Sequence, residues 1–190
     1  MSQLSFLDPA PPTDRLFFAL FPDAAAAEAV ARRASGLRER HALRGRPLLT
    51  DRFHVTLNHL GDHAGLRRDI VEAATEAART VQFPAFEVTF DRVESFKGRS
   101  GSRPLVLRGD QGLRDLLSFQ RELGVALARA GLGRWVERQF TPHVTLLYDD
   151  AMIEGEVVEP LTWTVDEFVL VHSLLSQTRH IHLDRWKLNG

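Results

Sequence analysis

The sequence has no cysteine among its 190 residues, and its formal net charge is only −1. Without cysteine, disulfide bonds, thiolate metal sites and a cysteine nucleophile are excluded. A chain lacking cysteine also suits the reducing cytoplasm, where disulfides are rare. The near-zero charge argues against a protein that coats long nucleic acid through a globally basic surface. It leaves room for a pocket that binds one or two nucleotides.

Long apolar segments are missing as well. No run approaches the roughly 20 residues that a membrane-spanning helix needs. The N-terminus has neither a basic start nor a long apolar stretch, so it does not resemble a signal peptide, and no membrane association is expected. Residues 1–13, rich in proline, serine and alanine without periodicity, predict a flexible tail. Residues 14–190 are expected to form a single domain, which has the length to consist of two similar lobes.

Short apolar strands alternate with amphipathic helices along this domain. Strands are predicted at 15–21, 53–60, 86–96, 104–107, 141–148, 163–175 and 180–188, and helices at 24–39, 66–80 and 113–130. A loop is predicted at 97–103, which holds two glycines and three cations. Several strands alternate polar with apolar residues, which is typical of sheets with one solvated face. We therefore predict an α+β fold rather than a doubly wound parallel sheet.

The same four letters, H-V-T-L, follow a strand and a helix in each half of the chain. His54 and Thr56 lie in the first copy and His143 and Thr145 in the second, so the histidines are 143 − 54 = 89 residues apart. This repeat predicts two lobes related by a pseudo-twofold axis. Because side chains alternate across a strand, each histidine shares a face with its threonine, while the valine and leucine face the core. If the lobes face each other, two imidazoles and two hydroxyls converge on one cleft.

This set of side chains fits the hydrolysis of a cyclic phosphodiester. The reaction needs a base to take a proton from water and an acid to protonate the leaving oxygen. Histidine titrates near neutral pH, so a neutral and a protonated imidazole can coexist in one site. The threonine hydroxyls can donate hydrogen bonds to the phosphate oxygens. Such a scheme uses no metal and no cofactor. A structural reading, in which each histidine is an ordinary strand residue, is weakened by the duplication.

The chain resembles the two-histidine (2H) phosphoesterase superfamily in R-L-F-F-A-L-F-P, F-H-V-T-L-x-x-L-G and F-T-P-H-V-T-L. Within it, the sequence is most similar to the bacterial RNA 2′,3′-cyclic phosphodiesterases, historically called 2′–5′ RNA ligases. The resemblance runs from about Arg15 to Leu188. It implies two antiparallel sheets around a central cleft with helices on the outer faces. It also implies metal-independent opening of an RNA-terminal 2′,3′-cyclic phosphate to a 2′-phosphate, and in some members reversible 2′–5′ ligation.

Carried over from the family, the catalytic residues are His54, Thr56, His143 and Thr145. The resemblance favours His143 as the base toward water and His54 as the acid toward the 3′ leaving oxygen. The expected protein is a cytoplasmic monomer that acts on RNA ends with a 2′,3′-cyclic phosphate or on small cyclic nucleotides.

One departure from the family concerns the phosphate-binding arginine that many members carry five residues after the second histidine. Here that position is Tyr148. Strict alternation places Tyr148 on the opposite face from His143, so a bulge or a strand end is needed to bring it into the site. Candidates for the missing cation are Arg99, Arg103 and Arg179.

Other residues admit two readings. Phe17 can stack a nucleobase or belong to the core. His59, five residues after His54, faces away from it on a regular strand. His180 and His182 share a strand face but lack a third metal ligand at a persuasive spacing.

Two alternatives to an RNA-end phosphodiesterase remain open. The first is a 2H enzyme acting on ADP-ribose cyclic phosphate or another small cyclic phosphodiester. The second is a non-catalytic module that binds an RNA end or a nucleotide. A near-neutral surface favours small substrates, whereas a basic cleft favours RNA.

Overall fold

The structure, a computed structural model, describes residues 10–99, 102–177 and 179–189. Within these ranges the chain forms eight strands and three helices. The strands are β1 Asp14–Leu20, β2 Val55–His63, β3 Phe86–Ser95, β4 Arg103–Arg108, β5 Val144–Asp149, β6 Glu156–Val165, β7 Glu167–Leu174 and β8 Arg179–Lys187. The helices are α1 Ala24–Arg40, α2 Arg68–Arg79 and α3 Arg114–Leu127. Most of the predicted N-terminal tail lies outside the described residues. No helix in the described ranges is long and apolar enough to cross a membrane.

The strands form two four-stranded antiparallel sheets. The first sheet has the order β2-β1-β7-β8 and the second has the order β5-β4-β3-β6. In β1, Leu16, Phe18 and Leu20 join the large core that also holds buried residues of all three helices, while Phe17 and Ala19 point to the opposite face. The helices therefore cover the outer faces of the sheets. The predicted α+β fold with two antiparallel sheets is confirmed.

The internal repeat is visible in the order of the strands. The unit β1-α1-β2 supplies one edge of the first sheet, and β4-α3-β5 supplies the corresponding edge of the second. Both H-V-T-L segments therefore lie on edge strands, each paired with the first strand of its own unit. The two lobes have the same local arrangement because the same strand-helix-strand unit builds each edge.

The prediction of one strand over Trp163–Leu175 is wrong. The segment contains the end of β6 and all of β7, which belong to different sheets and are separated at Asp166. Apolar residues continue on both sides of Asp166, so their pattern does not mark the corner. The start of β6 was missed because Glu156–Val165 contains Pro160, which a strand tolerates only at an edge or a bulge. β6 is an edge strand of the second sheet.

Gly61 does not end β2, although the sequence predicted a stop at Gly61-Asp62. The strand continues to His63, and Gly61 adopts φ +99° at a register shift against β1. A glycine with positive φ is typical of a bulge that adds one residue to a strand. A Cβ atom at this position would also lie 2.5 Å from the Trp135 ring, so glycine is required by backbone conformation and by space.

Phe119 on α3 joins the two sheets through the core. Its ring centroid lies 5.7 Å from that of Phe86 on β3 and 5.1 Å from that of Phe168 on β7. Both strands therefore pack against a single side chain that is fully buried.

We expect Phe119→Ala to lower the free energy of unfolding by about 3–5 kcal/mol, because the cavity would separate both sheets from α3. Urea denaturation followed by circular dichroism measures this. Val125→Ala is the matched control, since Val125 lies on the same helix with 45% of its surface exposed; it should change stability by about 0.5 kcal/mol or less. A loss below about 1 kcal/mol for Phe119→Ala would show that the sheets do not depend on this contact.

Candidate active site

A bulge in β5 determines which of its side chains reach the cleft. Thr145 pairs with Val106 of β4, but the next pair is Leu147 with Leu105, so Leu146 is an extra residue. Leu146 and Leu147 are both buried and Tyr148 is exposed. The bulge therefore brings Tyr148 to the same face as His143 and Thr145. The sequence analysis had identified such a bulge as one way for Tyr148 to reach the site.

The same bulge occurs in β2. Thr56 pairs with Ala19 and Asn58 with Phe18, so Leu57 is the extra residue. Leu57 and Asn58 are both buried, and His59 is exposed on the face of His54 and Thr56. The expectation that His59 faces away from His54 was wrong because it assumed a regular strand. His59 stands five residues after His54, as Tyr148 stands five residues after His143, and this shared spacing was the signal that pointed to it.

The carbonyl oxygen of each bulged residue accepts a hydrogen bond from outside its sheet. Leu146 O accepts from the backbone N–H of Leu48, at 2.8 Å. Leu57 O accepts from the buried side-chain amide of Gln120 on α3, at 3.5 Å. Because an unpaired buried carbonyl is costly, these contacts stabilise the bulges. They also explain the polar Gln120 on the otherwise apolar face of its helix.

The two H-V-T-L edges meet at one cleft of about 630 Å³. The four predicted catalytic residues all line it, His54 and Thr56 from the first sheet and His143 and Thr145 from the second. The further polar residues of the lining are Arg15, Arg52, His59, Tyr148, Ser173 and His180. The described lining thus contains two arginines and four histidines but no carboxylate. A cleft of this composition attracts anions despite the chain's net charge of −1.

The imidazoles of His54 and His143 are oriented by the same local contact. His54 Nδ1 lies 2.7 Å from the carbonyl oxygen of Arg52, and His143 Nδ1 lies 2.8 Å from that of Thr141. A carbonyl oxygen only accepts hydrogen bonds, so Nδ1 carries the hydrogen in each ring. Nε2 is then the nitrogen that can accept or donate a proton during a reaction.

The environment disfavours protonation of both rings. Burial lowers the pKa of His54 to about 4, and the positive charge of Arg52 contributes to the decrease. Burial also lowers the pKa of His143, with a smaller contribution from Arg108. Burial and the nearby Arg52 lower the pKa of His180 to about 3. The positive surroundings that oppose an imidazolium would stabilise a bound phosphate.

Aromatic rings surround the catalytic histidines. The Phe17 and Phe21 ring centroids lie 5.3 and 5.7 Å from that of His54, and Phe96 lies 4.9 Å from His143. Phe17 lines the cleft, but only 3% of its surface is exposed. Its contact therefore positions His54 and leaves little ring area for a nucleobase.

The cations predicted to bind phosphate lie elsewhere. Arg99 and Arg103 are absent from the described lining of the cleft, and Arg103 donates to the backbone oxygen of Asp150. Arg179 lines a neighbouring groove. Arg103 begins β4, which lies inside the second sheet, behind the edge strand β5 that carries the second H-V-T-L segment.

The arginines that do line the cleft are Arg15 and Arg52. Arg15 makes a two-pronged ion pair with Asp62, both distances being 2.7 Å, and this pairing lowers the pKa of Asp62 to about 2. Asp62 also lies 3.0 Å from His59 Nε2. Arg52 has no ion pair among the described residues, and its buried Nε has no hydrogen-bond partner there. Arg52 is thus the cation of the cleft whose charge is left for a ligand.

Metal ligands are not grouped in the described ranges: no cluster of three or more histidine, aspartate or glutamate residues there is arranged to hold an ion. His180 lines the cleft, while His182 packs against Phe21 at 4.5 Å between ring centroids.

The sequence model of the 2′-5′ RNA ligase superfamily matches residues 21–176. The chain belongs to this superfamily. It is 31% identical over 150 residues to the RNA 2′,3′-cyclic phosphodiesterase of Escherichia coli K12, covering 76% of this chain and 80% of that protein.

The fold matches E. coli LigT in its apo form with a TM-score of 0.71 and 29% identity, over 95% of this chain and 100% of that one. LigT complexed with 3′-AMP matches with a TM-score of 0.67, 28% identity and the same coverage. The predicted membership in the two-histidine phosphoesterases is confirmed.

Nuclear magnetic resonance of ¹⁵N-labelled histidines tests the electrostatics of the unliganded cleft. At neutral pH, His54 and His143 should both show the Nδ1-protonated neutral tautomer, since each donates to a carbonyl oxygen. His54 should titrate near pH 4 because its ring is buried beside Arg52. An ordinary pKa near 6.5 for His54 would show that the cleft is open to water at this ring.

Proposed function

We propose that this protein is an RNA 2′,3′-cyclic phosphodiesterase, which opens the cyclic phosphate at an RNA 3′ end and leaves a 2′-phosphate. The observation that carries the proposal is the convergence of both H-V-T-L pairs on one cleft that has two arginines and no carboxylate in its described lining. The activity of the E. coli relative, an RNA 2′,3′-cyclic phosphodiesterase, supports the same substrate. All of these residues come from one chain, so a monomer provides a complete site. The absence of cysteine fits a cytoplasmic enzyme.

The proposed reaction uses the two imidazoles on opposite sides of phosphorus. A neutral Nε2 takes a proton from water as the water oxygen bonds to phosphorus. The bond from phosphorus to the 3′ oxygen breaks, and the protonated Nε2 of the other histidine gives its proton to that oxygen. Thr56 and Thr145 donate hydrogen bonds to the non-bridging oxygens, where negative charge accumulates. When a 5′ hydroxyl attacks in place of water, the same geometry supports 2′–5′ joining of RNA ends. In the reverse reaction, which cleaves the 2′–5′ bond, the two histidines exchange the roles of acid and base.

Arg52 is our candidate for the phosphate-binding cation that the family usually supplies five residues after the second histidine. Its charge has no counter-ion among the described residues, whereas Arg15 is compensated by Asp62. Tyr148 and His59 occupy matching positions in the two lobes and both line the cleft. We assign them contacts to the substrate rather than proton transfer, because His59 is held by Asp62 and Tyr148 lies at the exposed end of its strand.

Two arguments about which histidine is the acid and which is the base point in opposite directions. The family resemblance favours His143 as base and His54 as acid. The electrostatics of the unliganded cleft favour the reverse, because the pKa of His54 is lowered to about 4 and the ring is therefore neutral near pH 7. A general base must start neutral, whereas a general acid must start protonated. A bound phosphate anion raises the pKa of both rings. The order from the resemblance therefore stays a prediction.

A small cyclic nucleotide is the second candidate substrate, and the complex of the related LigT with 3′-AMP gives it support. The positive cleft instead favours RNA, whose backbone carries further phosphates. A module that binds without catalysis would have no need of a proton donor and acceptor in matching positions on two lobes.

Product analysis on a synthetic RNA ending in a 2′,3′-cyclic phosphate tests the proposed function. We expect a single product that carries a 2′-phosphate, formed at the same rate in the presence of excess chelator, because the histidines activate water without a metal. The matched control is the same RNA ending in a 3′-phosphate, which should remain unchanged. Loss of turnover in chelator that returns with added metal would contradict the proposed chemistry.

Single substitutions separate the roles of the four residues. His54→Ala and His143→Ala should each lower kcat by about a hundredfold or more, and the double variant should be little worse than the poorer single. Thr56→Ala and Thr145→Ala should cost less, about tenfold, because each removes one hydrogen bond to phosphate. Arg68→Gln, an exposed arginine at the start of α2, is the control and should match the wild type. Near-normal turnover of His54→Ala would exclude the two-histidine scheme.

The pH dependence of the same variants identifies the base. For the wild type, kcat/KM should rise with pH as the base loses its proton and fall as the acid loses its own. Since burial lowers both pKa values, and that of His54 to about 4, the maximum should lie on the acidic side of neutrality. The variant without the base should lack the acidic limb, and the variant without the acid should lack the alkaline limb.

A further inference from the structure

A second cavity of about 700 Å³, here called the side groove, adjoins the catalytic cleft. The two share Leu48, Arg52 and His180 as walls. The side groove lies over the part of the first sheet that contains β7 and β8, beyond the end of β1. It is therefore a continuation of the catalytic cleft across the same sheet.

The floor of the side groove offers aromatic and apolar surface. Val169 of β7 lines it, and Phe21 lines it from the end of β1. The Phe21 and His182 rings lie 4.5 Å apart, and both face the groove, where Phe21 is only half-buried. Flat rings at the side of a cavity are surfaces on which a nucleobase stacks without sequence preference.

The rim of the side groove is basic. Its arginines are Arg52, Arg179 and Arg185, and its acids are Asp51 and Glu167. Glu167 is neutralised by Arg185 at 3.2 Å and by Lys187 at 3.2 Å. Within the described part of the chain, Arg52 and Arg179 have no ion pair. Two arginines without counter-ions beside an aromatic surface match the chemistry of a nucleotide, which has both a phosphate and a base.

We infer that the side groove binds the nucleotide that precedes the terminal one in single-stranded RNA. The inference rests on the proposed function and identifies its substrate as an RNA end rather than a free cyclic mononucleotide. Each cavity has the volume typical of a site for one small ligand, so the pair accommodates more than a mononucleotide. Arg179 binds the linking phosphate, Arg52 stands on the shared wall between that phosphate and the cyclic one, and Phe21 and His182 contact the base.

Substrates of increasing length test this assignment in the intact protein. We would measure kcat/KM for a nucleoside 2′,3′-cyclic phosphate, for the same compound with a 5′-phosphate, and for a dinucleotide ending in a 2′,3′-cyclic phosphate. The dinucleotide should exceed the plain nucleoside by about tenfold or more, with the 5′-phosphate compound between them. The advantage should shrink as salt is raised, because part of it comes from contacts to phosphate.

Two variants connect the advantage to the groove. Arg179→Gln and His182→Ala, both at exposed positions, should each lower the ratio of dinucleotide to nucleoside kcat/KM to about twofold or less. Arg68→Gln should keep the wild-type ratio. Equal kcat/KM for the nucleoside and the dinucleotide, or an advantage that survives in both groove variants, would overturn the inference while leaving the proposed function intact. Absence of turnover on every substrate would overturn the proposed function and this inference together.

Discussion

The active site depends on one extra residue in each of two edge strands. Leu57 in β2 and Leu146 in β5 each shift the register by one, so that the side chains five positions after His54 and after His143 face the cleft. In regular strands those side chains would face the core, where an imidazole and a phenol would need buried hydrogen-bond partners. Each bulge displaces one backbone carbonyl from the hydrogen bonds of the sheet. That carbonyl instead accepts a hydrogen bond from a group outside the sheet. Tyr148 and His59 enter the site only because this compensation exists.

The partners of the bulges also hold the lobes together. The backbone N–H that satisfies Leu146 belongs to Leu48, in the segment that leads to β2. The amide of Gln120 that satisfies Leu57 belongs to α3, the helix that precedes β5, and it also donates to the backbone oxygen of Glu137. Each lobe thus stabilises the bulge of the other with the part of the chain that precedes its own H-V-T-L segment. The distance between the two histidines is consequently coupled to the geometry of both bulges.

Sequence reasoning reached the fold and the meeting of the two H-V-T-L pairs at one cleft because both depend on periodic patterns. Alternation along the strands and the duplicated H-V-T-L letters are visible in one dimension, and they led to the two-sheet fold and to the four residues that line the cleft. His59 was misplaced because a bulge breaks alternation without changing composition, since Leu57 and Asn58 look like any pair of strand residues. The sequence suggested Arg99, Arg103 and Arg179 as candidate cations and did not suggest Arg52, which lines the cleft. Charge next to glycines is easy to see in a sequence, whereas the direction of a side chain just before a strand depends on tertiary packing. The corner at Asp166 was missed because apolar residues flank it on both sides.

The positive charge of the cleft favours phosphate binding but disfavours the protonated imidazole that an acid catalyst needs. That charge stabilises a phosphate. Burial is the main cause of the low pKa values of His54 and His180, and the positive charge of Arg52 lowers them further, so neither ring readily carries a proton without a bound anion. An acid catalyst must nevertheless be protonated. The phosphate itself resolves this conflict, because its negative charge partly offsets that of Arg52 and makes protonation of a nearby imidazole more favourable. The protonation state needed for catalysis is therefore assembled with the substrate.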